Sequence, residues 1–136
     1  MEKNDLIKML VIEKISKKEI AKRLNVSEVA VRKKIQKLKE ENILLGNKPI
    51  LNYKKANMCF SITGIDVEPE KLIEVLDELK KIKEIVTIYL SSGDHTILIE
   101  VISEDINKIN ELHKKISSLK GVKRVCPCLI NEIIKF

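Results

Sequence analysis

The sequence contains few aromatic residues, glycines, prolines and cysteines. Among its 136 residues are two Tyr, two Phe, no Trp, four Gly and three Pro, whereas hydrophobic residues make up 44% and charged residues 34%. This composition differs from that of disordered and fibrous proteins, which are rich in Pro or Gly or contain too few apolar residues to form a core. We therefore expect a globular protein made of one ordinary domain or two very small ones.

The sequence also lacks a long apolar segment. No stretch of about 18 consecutive apolar residues occurs, and the chain begins with Met1–Asp5, which contains no apolar run. We expect neither a signal peptide nor a membrane span, and hence a cytoplasmic protein. The three cysteines, Cys59, Cys126 and Cys128, do not have the number or spacing of a secreted disulfide framework, which agrees with a reducing compartment.

The positive charge is concentrated in the first part of the chain. Residues 1–57 hold fifteen Lys and Arg against seven Asp and Glu, a net charge of +8, whereas residues 58–136 hold eleven against thirteen, a net charge of −2. This division predicts two domains, of which the first meets a polyanion and the second meets something else, including copies of itself. The alternative is that the lysine-rich helices are merely well solvated.

The first domain is expected to contain three helices. An apolar pattern from Leu6 to Ile12 predicts the first helix, and Ser16 opens a capping box that predicts the start of the second. The sequence Asn-Val-Ser that follows predicts a tight turn, in which Asn25 adopts a left-handed conformation, Val26 folds inward and Ser27 caps the third helix.

The third predicted helix, from Ser27 to about Glu41, has two contrasting faces. Val31, Ile35 and Leu38 form its buried stripe. Its exposed stripe comprises Val29, Arg32, Lys33, Gln36 and Lys37. In the DNA major groove, Arg and Lys bind guanine, Gln binds adenine and an apolar side chain contacts the thymine methyl group. We interpret this stripe, together with Ser27 at the start of the helix, as a DNA-recognition surface, because an ordinary solvated face explains the lysines but not the valine.

A wing or linker is predicted after this helix. Asn42 stands at the position of a C-terminal cap, and Ile43–Leu51 has the pattern of two short extended runs about a Gly-Asn turn. We expect Lys48 on this wing, together with Lys17 and Lys18 at the start of the second helix, to contact phosphates.

The remaining sequence has the pattern of a βαββαβ domain. Its predicted elements are strand Cys59–Val67, a helix from Pro69, strands Ile85–Leu90 and Thr96–Ile102, a helix capped by Ser103 and ended by Gly121, and strand Val122–Ile134. This order is that of the ferredoxin-like fold, whose two helices lie on one face of an antiparallel sheet. With no further segment to cover the other face, we expect a dimer. Pro127 fits only an edge strand or a bulge.

Three segments are notable for their order and spacing, namely Glu19–Ser27 continuing to Leu38, Ser92–Asp94 entering Ile97–Ile99, and Gly121–Val122. Together they resemble the Lrp/AsnC family of transcription regulators. The resemblance implies a helix-turn-helix domain joined to a ferredoxin-like effector domain, dimers that assemble into tetramers or octamers, and a small effector, often an amino acid, bound where dimers meet. The effector-binding positions that it implies are Leu90, Gly93, Asp94, Thr96, Cys128, Leu129 and Ile130.

The sequence departs from the family pattern at the implied effector site. Thr96 stands where the family commonly has an acidic residue suited to the ammonium group of a ligand, which leaves Asp94 as the nearby carboxylate. Burial of an uncompensated charge is costly. The departure therefore argues against an amino-acid effector.

The cysteines and histidines admit more than one role. Cys126 and Cys128 are expected on the same side of the last strand, and Cys59 of the neighbouring first strand could lie near them. Three thiolates in such a group could bind zinc or sense oxidation. Because the spacing is weak evidence for a metal site, we expect small packed thiols and no metal. We place His95 against an effector or a neighbouring dimer, and His113 at the boundary of the core.

No enzymatic function or cofactor is expected. The sequence has no phosphate loop, Gly-x-Ser-x-Gly elbow or zinc-binding helix motif. Enzymes that decarboxylate haem precursors share this architecture, but the two isolated histidines argue against such an active site. A small-molecule sensor or oligomer scaffold without DNA binding would explain the second domain and leave the basic helix unexplained. The sequence therefore predicts a transcription regulator that binds double-stranded DNA at pseudo-palindromic sites.

Overall fold

Two separate apolar cores organise the chain in its computed structural model, which describes residues 3–136. They define two compact units, Met1–Pro49 and Ile50–Phe136. The sequence placed the boundary after Asn57, eight residues later. The difference arises because the Tyr53 ring stacks on the Phe60 ring at a centroid distance of 4.4 Å and ties this segment to the second unit.

The first unit consists of helices alone. Its elements are helix α1 (Lys3–Lys8), a π-helical turn (Met9–Glu13), helix α2 (Lys17–Leu24) and helix α3 (Glu28–Glu40). Their shared core contains Leu6, Ile20, Ala21, Val31, Ile35 and Leu38. Full burial of one large aliphatic side chain contributes about 1.5–3 kcal/mol. This core therefore holds three short helices that would not be stable in isolation.

The ends of these helices have the predicted caps: serine side chains cap the starts of α2 and α3, and a left-handed Asn25 ends α2. The Ser16 hydroxyl accepts a hydrogen bond from the Glu19 amide, and the Ser27 hydroxyl accepts one from the Ala30 amide, each at 3.1 Å. Asn25 is left-handed, with φ of 54°. The prediction that Val26 folds inward is wrong, because its side chain is 38% exposed.

Of the two alternatives predicted after α3, a wing or a linker, the wing is not found among residues 3–136. Within residues 3–136 no strand precedes Cys59, and residues 45–50 have no regular structure. Asn42 does end α3 in the left-handed conformation, with φ of 59°, and the amides of Ile43 and Leu44 both donate to the Leu38 carbonyl oxygen. The chain leaves the helix at this cap without forming the hairpin that a wing requires.

The second unit is a four-stranded antiparallel sheet with two helices. Its elements are strand β1 (Cys59–Val67), a 3₁₀ turn (Pro69–Lys71), helix α4 (Leu72–Lys80), strands β2 (Ile85–Leu90) and β3 (Ile97–Ser103), helix α5 (Ile106–Ser117) and strand β4 (Val122–Leu129). The strand order is β2-β3-β1-β4. The predicted βαββαβ domain is confirmed, and Pro127 lies on an edge strand, as its missing N–H group requires.

Several element ends differ from the prediction; α5, for example, ends at Ser117 and not at Gly121. Ser103 remains in β3, paired with Cys59, and Asp105 caps α5 instead by accepting a hydrogen bond from the Asn107 amide at 2.8 Å. Strand β4 ends at Leu129 and does not continue to Ile134. The reason is that its partner β1 begins at Cys59, so the amide of Ile130, which donates to the Phe60 carbonyl oxygen, makes the last cross-strand hydrogen bond.

The two faces of the sheet have different surroundings. The helix-facing side carries the core of the second unit, which includes Ile65, Val67, Val75, Leu79, Ile97, Ile99, Val101, Ile109 and Ile116. The opposite side, here called the outer face, carries Phe60, Ile62 and Asp66 of β1 and their cross-strand neighbours. On this face Ile62 of the central strand β1 and Tyr89 of the edge strand β2 are 36% and 43% exposed.

A polar chain crosses the helix-facing core. The Ser61 and Thr63 hydroxyl oxygens lie 2.8 Å apart, and the Thr63 hydroxyl lies 2.8 Å from Nε2 of His113. All three residues are buried. Burial lowers the pKa of His113 below its usual value. His113 is thus a hydrogen-bonded core residue, whereas the sequence placed it at the boundary.

This histidine makes stability depend on pH. We expect the free energy of unfolding to fall as the pH drops below about 6.5, because the unfolded imidazole takes up a proton that the buried one resists. Urea unfolding of the full chain at about pH 7.5 and about pH 5.5 measures this loss. His113→Gln keeps a hydrogen-bonding group and does not titrate, so the variant should lose less stability over this interval. Equal losses in both proteins would contradict the prediction.

Candidate nucleic-acid interface and effector site

The exposed stripe of α3 is arranged as the sequence predicted. Val31, Ile35 and Leu38 are buried against the other helices, and this fixes the rotation of α3 about its axis. The side chains left on the surface include Val29, Arg32, Lys33, Gln36 and Lys37. Val29 is 55% exposed, although an apolar side chain of this size would be expected to pack in the core. An apolar group, an amide and three cations therefore share one accessible helix surface.

The basic residues predicted to contact phosphates are also accessible. Lys17 and Lys18 are exposed in the first turn of α2, and Lys48 is exposed in the irregular segment where a wing was expected. Arg23 of α2 was not among these predicted contacts. Its guanidinium group contacts the carboxylates of Glu13 at 3.0 Å and Glu19 at 3.4 Å. These partners raise the pKa of Arg23 and engage it within the unit.

Glu28 is a residue of this surface that the sequence analysis did not select. It is the first residue of α3, and its carboxylate lies 3.9 Å from the Arg32 guanidinium group. The signal available in the sequence was the spacing of four residues between an acid and a base on a helix.

The predicted effector-binding residues fall into two separate sets. The first set lies around the turn that joins β2 and β3, and comprises Leu90, Gly93, Asp94 and Thr96. The amide of Ser91 donates to the Thr96 carbonyl oxygen at 2.8 Å and closes this turn, in which Gly93 has a φ of 131°. A side chain at that φ would be strained, which accounts for the glycine.

The second set, Cys128, Leu129 and Ile130, lies towards the opposite end of the sheet. Leu129 pairs with Ser61, whereas the β2–β3 turn adjoins Ile97, which pairs with Ile65. The sets are therefore about 10–14 Å apart along the strands and about 10 Å or more across them. One chain does not bring the predicted effector residues together.

Ile130 belongs instead to a separate groove of the second unit. This groove has a volume of about 210 Å³ and lies between residues 50–53 and the C-terminal residues 130–136. Its apolar lining includes Ile50, Leu51, Tyr53 and Phe136.

A charged cluster lies near the β2–β3 turn on the outer face. One oxygen of Asp66 contacts Nδ1 of His95 at 2.9 Å, and the other accepts a hydrogen bond from Nε of Arg124 at 2.9 Å. The hydrogen bond with His95, followed by the Arg124 contacts, holds the pKa of Asp66 below its usual value. A Cβ atom on Gly64 would lie 2.4 Å from the His95 ring, so this glycine makes room for the histidine.

Sequence reasoning missed Asp66 and Arg124 because no local pattern joins them. They lie 58 positions apart and meet only through the pairing of β1 with β4. His95 was selected, but its partner was not, since it is 29 positions away.

The three cysteines do not converge. Cys126 and Cys128 pair with Gly64 and Ile62, which places both on the outer face, whereas Cys59 packs against the helix-facing core. The expected approach of Cys59 to the other two thiols does not occur, because successive residues of a strand point to opposite faces. Among the described residues, no group of three or more His, Cys, Asp or Glu side chains is placed to hold a metal ion.

Comparison with known proteins identifies both units. A family model described as the Lrp/AsnC ligand binding domain matches residues 61–135, and a model of an HTH domain matches residues 2–50. The chain belongs to the Lrp/AsnC family. It is a helix-turn-helix transcriptional regulator with a ligand-binding domain and not an enzyme, so the similarity to haem-precursor decarboxylases does not extend to function.

Curated relatives cover most of the chain. The HTH-type transcriptional regulator LrpA of Pyrococcus horikoshii is 41% identical over 119 residues, which span 86% of this chain and 84% of that protein. LrpA1 of Halobacterium salinarum is 29% identical over 118 residues, which span 85% and 83%.

Solved structures share the Lrp/AsnC fold. The crystal structure of PH0061 matches with a TM-score of 0.79 and 22% identity, and the match covers 100% of this chain and 96% of that one. The structure of E. coli AsnC matches with a TM-score of 0.66 and 18% identity over 96% and 90% of the two chains. Within residues 3–136, no helix is long and apolar enough to cross a membrane.

Proposed function

We propose that this regulator binds pseudo-palindromic DNA as a dimer, with α3 of each copy in the major groove. The observation that carries the proposal is the exposed stripe of α3, where Val29, Gln36 and three cations stand opposite the buried stripe. An α-helix fits the major groove, and these side-chain types match the groups that base edges present there.

The exposed lysines outside α3 would position the protein on the DNA backbone. Lys17 and Lys18 lie in the first turn of α2, where the amide groups at the N-terminus of a helix also favour a phosphate. Lys48 follows α3 by eight residues and lies in the same unit. Such contacts add affinity for every DNA sequence and do not distinguish bases.

A second copy of the chain is the proposed cover of the outer face. Both helices lie on the other side of the sheet, whereas on the outer face the Tyr53 ring stacks on Phe60 and the His95 ring lies over Gly64. Ile62 on the central strand β1 and Tyr89 on the edge strand β2 remain exposed on this face. Pairing of two such faces would remove their apolar surface from water. Dimers would then assemble further into tetramers or octamers.

An effector site formed by residues of one chain does not fit this geometry, so we place it between chains. One copy would supply Leu90, Gly93, Asp94 and Thr96, and a copy from a neighbouring dimer would supply Cys128, Leu129 and Ile130. The separation of the two sets within the sheet supports this arrangement. Thr96 carries no charge, and this favours a ligand other than a zwitterionic amino acid.

Selection of bound sequences from a random DNA pool tests the DNA proposal. We expect enrichment of a two-fold motif whose half-site centres lie about 34 Å apart, one helical turn, or a multiple of it. Footprints on the selected DNA should show paired contacts. Isolated contacts without a related half-site would contradict a dimer, and no enrichment would favour a sensor or scaffold that does not recognise specific DNA.

Two alanine variants separate base contacts from phosphate contacts. Arg32→Ala should relax preference at one base pair of each half-site and weaken binding there by about 1–3 kcal/mol. Lys17→Ala should weaken binding to specific and random DNA alike and flatten its salt dependence. Titrations at several salt concentrations measure both effects, with Lys115→Ala in the second unit as the charge-matched control. An equal loss on both kinds of DNA for Arg32→Ala would make Arg32 a phosphate contact.

Thermal unfolding in the presence of each of the twenty amino acids tests the effector proposal. We expect no stabilisation, because Thr96 offers no negative charge to an ammonium group. A ligand at about 100 times its dissociation constant would add roughly 2.7 kcal/mol of stability, which a melting curve detects. A reproducible shift that disappears in Asp94→Ala would contradict the expectation and place an amino acid at this turn.

A further inference from the structure

Glu28 is an acidic residue within a basic recognition surface. It is the only Asp or Glu between Asn25 and Lys39, a segment that contains five Lys and Arg. Its side chain is 45% exposed and lies at the N-terminal end of α3. A carboxylate that faces a phosphate backbone is repelled by it, so this position is unfavourable for DNA binding unless the carboxylate meets a specific donor.

The local structure of α3 does not require this carboxylate as a cap. Ser27 caps the helix through the Ala30 amide, and Ala30 occupies the third helical position, where a capping box has its Glu. In α2 the corresponding position holds Glu19, which is paired with Arg23. An acidic residue in the first turn does stabilise a helix through its interaction with the helix dipole. Any acidic residue in that turn would have this effect, whatever DNA sequence is bound.

The contact between Glu28 and Arg32 leaves both groups available to a ligand. Their closest charged atoms are 3.9 Å apart, which is too long for a hydrogen bond. The two side chains project from the same surface of α3, one turn apart, and both are largely exposed. The guanidinium donors and the carboxylate acceptors thus form an adjacent pair of opposite hydrogen-bonding character.

A C·G base pair presents the complementary pair of groups in the major groove. Guanine offers the acceptors O6 and N7, and cytosine offers the N4 amino group as a donor. The N-terminal residues of a recognition helix are those that contact base edges, and Glu28 is the first residue of α3. We propose that Glu28 is a specificity-determining residue that accepts a hydrogen bond from cytosine N4 while Arg32 binds the guanine of the same base pair. This inference rests on the proposed DNA-binding function.

Selection from a random DNA pool by wild type, Glu28→Ala and Glu40→Ala provides the test. Both variants lose one negative charge from α3, so they share any general gain in DNA affinity, but Glu40 lies at the other end of the helix. We expect a C·G pair in each wild-type half-site and the same pair for Glu40→Ala. In Glu28→Ala, which has no side-chain acceptor, the preference for that pair should fall by about fivefold or more, while other positions remain unchanged.

Chemical modification of the cytosine identifies the atom involved. In a selected site that carries N4-methylcytosine at this position, the methyl group occupies the major-groove side of N4, so wild-type affinity should fall by about fivefold or more. The affinity of Glu28→Ala should be the same for methylated and unmethylated sites, because the acceptor is already absent. Circular dichroism verifies that the variants remain folded.

The outcomes separate the inference from the function on which it rests. If wild type enriches no motif, the proposed DNA function fails. If wild type enriches a motif that Glu28→Ala shares at every position, or if N4-methylation has equal effects on wild type and Glu28→Ala, the role of Glu28 is overturned and the DNA-binding function stands.

Discussion

Burial of Val31, Ile35 and Leu38 is the constraint on which the proposed DNA-facing surface depends. These three side chains leave α3 a single rotation about its axis, since any other would expose them and bury lysines. This rotation, and not any contact of the exposed side chains themselves, places four of them at the surface: Val29, Arg32, Lys33 and Gln36. The small core behind the exposed stripe therefore fixes where these side chains emerge, and the Arg32 guanidinium group contacts the Glu28 carboxylate at 3.9 Å.

The second unit is governed by the same requirement for burial, with a different consequence. Helices α4 and α5 cover one side of the sheet and contribute Val75, Leu79, Ile109 and Ile116 to its core. The side chains of β1 that point the other way cannot reach that core, because strand residues alternate between faces. A sheet face that no helix covers follows from the order of the elements, and a second copy of the chain is its proposed cover. In the proposed function, DNA recognition and assembly occupy different units of the chain.

Long-range strand pairing determines what lies near the β2–β3 turn. Asp66 and Arg124 meet there with His95, over a glycine that leaves space for the imidazole ring. The register of β4 against β1 places Cys128 and Leu129 towards the other end of the sheet. Residues that a family resemblance groups into one ligand site are thus separated within a chain, and they can form one site only across an interface between chains.

The sequence by itself determined the helix boundaries at Ser16, Asn25 and Ser27, the buried stripe of α3 and the βαββαβ order. Each of these depends on residues a few positions apart, whose caps and periodicity act within one element. The end of β4 and the position of Cys59 were mispredicted, and the choice between a wing and a linker was left open, because all three depend on whether a partner strand is present and which face it presents. The Asp66–His95–Arg124 cluster, the buried His113 and the separation of the effector residues were decided by tertiary structure alone. These features depend on contacts between segments that are far apart in the chain, so no local pattern of residue types predicts them.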